Sequence, residues 1–285
     1  AIYFSYAKTK QRMWERVQEN IERLVKHILE DRYYIPKHPS SRMYKEVEDL
    51  FDERKEVKLY LSHAFGPPYK AKFHPRMVKA LMNYIGIRDG RLLDPLVGSG
   101  TMSIECTLTG VDSVGIDISP VCVLATKAKI SSLVVDPAKL REKIDEILSL
   151  TKTWQENITQ QSIATFLRKE NLPKEITIPK SVLDKYKAKK EELLAIYRLK
   201  EIIQSVSDED IRNIFLCGLS KVVSEVLRAR EEKNVFELFE DEIEQMWKGI
   251  LAFNELRKKI YIKLGKSENF LGDARDLRSL GIEEN

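Results

Sequence analysis

The chain has 285 residues, 43% of them hydrophobic, enough for one large domain or two small ones with a real core. It carries 48 Lys and Arg against 44 Asp and Glu, a net charge of +4, with the basic excess in residues 1–90 and a slightly acidic remainder. No apolar run is long enough for a membrane span, no signal-peptide pattern opens the chain, and Cys106, Cys122 and Cys217 form no CxxC pair, which argues against a zinc site or a disulfide framework and leads us to expect a cytoplasmic, reducing setting.

Met13, Val17, Ile21, Leu24, Val25 and Ile28 recur at helical spacing and predict a helix over residues 9–30. A loop with two prolines follows at 33–41, then a charged helix over 42–58, so residues 1–60 read as an N-terminal helical segment. At Leu61 the texture changes. LSHAFGPPYKAKFHP (61–75) is rich in aromatics, Pro and Gly and reads as a structured loop. Residues 76–85 follow as a helix with Met77, Leu81 and Ile85 on one face.

Arg91–Asp94 is a short apolar run consistent with a buried strand. PLVGSG (95–100) is a tight turn, Thr101–Thr109 a helix closed by Gly110, and Ser113–Ile118 a second strand. Strand, glycine turn, helix and strand within about thirty residues make one βαβ unit. A further helix after Ser119-Pro120 carries Val123, Leu124 and Ala128. Residues 137–264 read as almost wholly helical, with Leu140, Ile144, Ile147 and Leu148 on one amphipathic helix and Ile214, Phe215, Leu219, Val222, Val223 and Val226 on another. Asn269–Asp273 reads as a short strand ending in an acidic turn.

A glycine turn between strand and helix lets a ligand approach the backbone, and the helix N-terminus offers free N–H groups to an anion. In DPLVGSGT, Gly98 and Gly100 supply the approach, while Thr101 and the first-turn amides can hold a carboxylate. Asp117, seventeen residues after Gly100, is placed to accept hydrogen bonds from two ribose hydroxyls, and Ile118 to pack on an adenine face. An ordinary βα turn with Asp117 as a cap is the plainer alternative. Nicotinamide binding is weakened by the missing third glycine of GxGxxG.

Lys72-Phe73-His74-Pro75, then Asp94-Pro95 with Gly98-Ser99-Gly100-Thr101, then Gly115-Ile116-Asp117-Ile118 with Pro120, resemble the DNA amino-methyltransferases. These enzymes methylate the exocyclic amine of adenine or cytosine. The resemblance implies an α/β fold of the Rossmann-like class I methyltransferase type, partial, with a large helical insertion. The cofactor is then S-adenosyl-L-methionine, and DNA is the partner, with RNA the second candidate. It implies that Phe73 and His74 meet the methionine end of the cofactor, that Asp94, Pro95, Gly98, Ser99, Gly100 and Thr101 form its loop, that Asp117 and Ile118 hold its adenosine, and that Asp273 and Ala274 in GDAR (272–275) bind the adenine amine. The implied domains are residues 61–136 with 265–285 for the cofactor and 137–264 for the insertion; FLCGLSKVVSEV (215–226) is similar to an insertion in one branch of the family.

One departure is large. The family's catalytic motif, Asp/Asn/Ser-Pro-Pro-aromatic, holds and stacks the flipped base and would follow Asp273 by some tens of residues. It does not appear, so the catalytic residues are unassigned and a cofactor-binding part, inactive alone, is expected. Gly66-Pro67-Pro68-Tyr69 precedes the glycine turn, lacks a polar first residue, and is expected to shape the loop instead. A tRNA base methyltransferase and a non-catalytic structural remnant are the competing readings. His27, His38 and His63 show no ligand spacing, so no metal site is expected. Trp14, Trp154 and Trp247 are expected in core positions, and the Lys and Arg of 183–200 on a solvated helix face.

Overall fold

The computed structural model describes residues 63, 65–67, 69, 72–160, 190–229, 231, 233–259 and 263–282. The helices expected over 9–30 and 42–58, with Trp14, His27 and His38, lie outside these residues, as do residues 183–189. Seven α-helices and a three-stranded parallel sheet make a mixed α/β architecture among them.

Helix α1 (Pro75–Ile85) leads to strand β1 (Arg91–Asp94), helix α2 (Thr101–Thr109), strand β2 (Asp112–Asp117) and helix α3 (Pro120–Val134). Four helices follow: α4 (Pro137–Gln160), α5 (Lys190–Gln204), α6 (Glu209–Arg228) and α7 (Val235–Lys259). The chain then returns as β3 (Ser267–Leu271). The sheet order is β1-β2-β3, all parallel, with Asp94 level with Gly115 and Asp117 level with Leu271.

Local chemistry sets these boundaries. Gly110 closes α2 in the left-handed region (φ 77°), which suits a residue without Cβ. Ser119 caps α3 by accepting the Cys122 N–H, with Pro120 in the first turn where its missing N–H costs nothing. Asp208 caps α6 by accepting the Ile211 N–H at 3.1 Å, and Glu209 and Asp210 suit the positive end of that helix.

Two apolar clusters hold these elements. Val78 and Met82 of α1 pack with Cys106 and Val111, and Leu92 and Met102 lie against them. The larger cluster joins Phe65 and the α3 residues Ala125 and Ala128 to Leu140 and Ile144 of α4, Leu199 and Ile203 of α5, Ile214 and Phe215 of α6, and Phe239 and Ile243 of α7. The helices after residue 137 thus share one core with α3, and through α3 they brace the sheet. Trp247 belongs to this layer: its indole N–H donates to the Pro137 carbonyl at 3.0 Å, and the Arg141 guanidinium lies 5.2 Å from its ring centroid.

Two expectations change. In α1 the buried face is Val78 and Met82, four residues apart, whereas Leu81 and Ile85 are exposed. The four-residue spacing of Met77, Leu81 and Ile85 is as helical as that of Val78 and Met82, so periodicity alone could not choose between the two faces. Strand β1 forms but alternates exposed and half-buried, with Arg91 and Leu93 outward, because among the described residues it pairs only with β2.

Candidate functional site at the carboxyl ends of the strands

Open parallel sheets bind ligands beyond the carboxyl ends of their strands. Here the β1–α2 turn, the end of β2 and the end of β3 meet. Asp117 is the knot: its Oδ2 accepts the Gly98 N–H at 2.9 Å and its Oδ1 the Ser119 N–H at 2.8 Å. Its backbone carbonyl takes the Gly272 N–H at 3.0 Å, bringing the Asp273 turn alongside. An ionised carboxylate offers about four acceptor positions, so two backbone donors leave Asp117 able to take hydroxyl donors from a ligand. Asp94, at the tip of β1, accepts the Leu96 N–H at 3.1 Å, and burial, with the Asp117 charge in support, raises its pKa.

The turn itself is bent by Gly98 (φ 53°) and Gly100 (φ 83°), and a Cβ on Gly100 would fall 2.7 Å from the Thr126 side chain. Gly100 stands at the N-cap of α2 with no side-chain cap, leaving first-turn amides of α2 to other partners. Ser99 is buried, and its hydroxyl has no partner. A buried hydroxyl without a partner and the free amides of an uncapped helix N-terminus can together hydrogen-bond a polar group.

Phe73 reaches the turn from before α1: its carbonyl accepts the Thr101 hydroxyl at 3.3 Å while its ring is exposed. The His74 carbonyl accepts the Met77 N–H at 3.0 Å and so starts α1. Leu96 (77% exposed) and Ile118 (74%) flank the turn, and Phe73 and Leu271 are also exposed, forming an apolar rim at the strand tips. Pro95 is exposed beside them. Asp273 is engaged: both its carboxylate oxygens take Arg275 guanidinium donors, which hold its pKa down at about 2. Ala274 is half-buried beside it.

The structure therefore brings the predicted residues of 73–74, 94–101, 117–118 and 272–274 to one end of the sheet. It adds residues that were not among the expected site residues, one of them, Tyr69, from the Gly66–Tyr69 segment expected to shape the loop. Leu96 and Leu271 complete the rim. Tyr69 stands against the turn, its ring 3.3 Å from where a Gly98 Cβ would lie. Thr126 and Lys129 of α3 hold the turn from beneath, the first donating to the Gly98 carbonyl at 3.2 Å and the second to the Ser99 carbonyl at 2.8 Å. Nothing in their sequence spacing marks them, since a Thr and a Lys three apart occur on any helix. His63 is no ligand: it is buried against Glu105 at 2.9 Å. Among the described residues no cluster of His, Cys, Asp and Glu could hold a metal, and no helix is long and apolar enough to cross a membrane.

A parallel α/β sheet with a glycine turn and an uncapped helix N-terminus can receive an anionic group, and an acid at the tip of the next strand can accept hydroxyl donors beside it. The chain is similar to the Type II methyltransferase M.MjaII of Methanocaldococcus jannaschii, 35% identical over 112 residues, 39% of this chain and 20% of that protein. It is also similar to the Type II methyltransferases M.MvaI of Kocuria varians (25% identical over 174 residues, 60% of this chain and 35% of that protein) and M.BsoBI of Geobacillus stearothermophilus (33% over 86 residues, 30% and 17%). The matched stretches span about a third or less of the length of these relatives. No family model matches the chain, and no solved structure matches it at a significant level.

Proposed function

We propose that this site binds S-adenosyl-L-methionine, and that the chain supplies the cofactor-binding part of an enzyme methylating the exocyclic amine of adenine or cytosine in DNA. The observation that carries the reading is the orphaned Ser99 hydroxyl beside the uncapped α2, with Asp117 at the neighbouring strand tip. These residues fit the cofactor. The first-turn amides, Ser99 and Thr101 suit its carboxylate, with Phe73 and His74 on the methionine side. Asp117 suits the ribose, Ile118 and Leu96 the adenine face, and Asp273 with Ala274 the adenine amine once Arg275 yields. Asp94, Pro95, Gly98 and Gly100 give the turn its shape.

Once bound, the cofactor supplies an electrophilic methyl group. The chain's part is to orient it and exclude water, so transfer by positioning is the mechanism that follows. Cys106 and Cys217 add no nucleophile: burial pushes both thiols up to about 12 and keeps them neutral. The names of the three similar methyltransferases support the reaction class. The cofactor unit proposed is 61–136 with 265–285, and 137–264 is proposed as an insertion whose described helices, α4–α7, brace it.

The test is titration calorimetry with S-adenosylhomocysteine and, in parallel, NAD. Binding of the first and not the second is expected. Asp117→Asn keeps one acceptor and should weaken binding by about 1 kcal/mol, and Asp117→Ala by ~1–3 kcal/mol. Equal affinity in wild type and both variants would remove Asp117 from the site, and tight NAD binding would replace the cofactor.

A further inference from the structure

We propose that Thr126 and Lys129 of α3 are positioning residues of the glycine turn: they fix two consecutive carbonyls inward so that the turn faces a ligand carboxylate, and Lys129 places a buried positive charge behind it. This rests on the cofactor reading above and deepens it. A trans peptide points its C=O and N–H in opposite directions. Thr126 Oγ1 donates to the Gly98 carbonyl at 3.2 Å, so the N–H of that peptide, carried by Ser99, is directed away from α3. Lys129 Nζ donates to the Ser99 carbonyl at 2.8 Å, while the Gly100 N–H of the same peptide donates to the Val97 carbonyl at 2.9 Å. Both ends of the second peptide are thus tied, and the first is tied at its carbonyl.

Lys129 is 2% exposed, and Thr126 is fully buried. Burying an ammonium is costly unless charge or hydrogen bonds compensate it. Among the described residues no carboxylate lies within ion-pair distance of Lys129. The nearby ionisable groups are the half-buried Lys72, the His63–Glu105 pair, Cys122 and Cys217. Burial and the Lys129 charge draw the Lys72 pKa down to about 7, and Lys129 itself has only the Ser99 carbonyl, so a ligand carboxylate at the α2 N-terminus supplies the counter-charge that Lys129 lacks. Burial accordingly draws the Lys129 pKa down to about 8, a shift that a bound anion opposes.

The experiment compares S-adenosylhomocysteine with 5′-methylthioadenosine, which shares the adenosine and lacks the amino-acid carboxylate. In the chain as it stands both bind, the first more tightly. Lys129→Met and Thr126→Val should each lower S-adenosylhomocysteine affinity about tenfold or more and change methylthioadenosine affinity less than about twofold. Thr126→Ser, which retains the hydroxyl, should restore most of the loss. If Lys129→Met does not fold, the Thr126→Val and Thr126→Ser pair decides the question. Equal losses for both ligands would reduce the pair to a structural support and overturn the proposal, as would unchanged affinities. Failure of wild type to bind either ligand would instead overturn the cofactor reading, and this inference with it.

Discussion

His63 is the residue whose burial has the clearest solution consequence. It is buried against Glu105, and desolvation pulls its pKa from the ordinary 6.5 to about 3, although the Glu105 hydrogen bond and charge push the other way. The folded chain therefore holds the ring neutral over a range in which the unfolded chain protonates it. Between about pH 3 and 6.5 the unfolded state binds more protons, so this group's contribution to stability falls as pH drops through that window, by up to ~1.4 kcal/mol per pH unit. Urea unfolding between pH 4 and 7 should show that slope, and His63→Gln should flatten it. An unchanged slope in the variant would assign the acid sensitivity to carboxylates alone. In the sequence His63 was one of three histidines without ligand spacing, and its role was invisible because its partner sits 42 residues away on α2. The acid on β2 was legible, because its position follows from a strand length and a helix length. The two α3 side chains beneath the turn were not, because a contact between a helix flank and a distant loop leaves no periodic trace.

Among elements, α6 shows how a cap and an ion pair share one carboxylate. Asp208 accepts the Ile211 N–H, and the Lys139 ammonium of α4 lies 2.5 Å from its other oxygen; the two together hold its pKa below the usual range. The Lys139 hydrogen bond is the larger cause of that shift, but the cap contributes more to stability, since Lys139 is largely exposed and surface ion pairs contribute little. Asp208→Ala should cost about 1 kcal/mol, within the range for lost N-caps, and Lys139→Ala clearly less, as read by thermal unfolding. Equal losses would mean that the ion pair, rather than the cap, anchors the start of α6. The helices and the βαβ unit were readable here because their apolar spacing is long and regular: Leu140, Ile144 and Ile147 on α4, and Ile214, Phe215, Leu219, Val222 and Val226 on α6, are all buried. The face of α1 and the exposure of β1 were not readable, since each depends on what packs against the element rather than on its own pattern.

For the whole molecule, the shared core of α3 with α4–α7 makes the helices and the sheet one cooperative unit. Phe215 is fully buried in that core and packs on Phe239 with ring centroids 6.5 Å apart. Phe215→Ala should destabilise by ~3–5 kcal/mol, the usual cost of such a cavity, and should lower the midpoint of a single transition followed by both helical and aromatic signals. Two separate transitions would show that the insertion folds apart from the sheet.

The order of the strands along the chain also bears on how fast the molecule folds. β2 and β3 are hydrogen-bonded neighbours, yet β2 ends at Asp117 and β3 begins at Ser267. Closing a flexible loop of about 150 residues, rather than one of about 15, adds ~2 kcal/mol of chain entropy to the pairing step. Helix formation within the intervening segment shortens the free chain that must be closed, and local contacts form faster than distant ones. The helical layer should therefore assemble ahead of the sheet, and β3 should be the last strand to dock. Pulse-labelled hydrogen exchange during refolding would then protect the amides of α6 before those of Gly115 and Phe270.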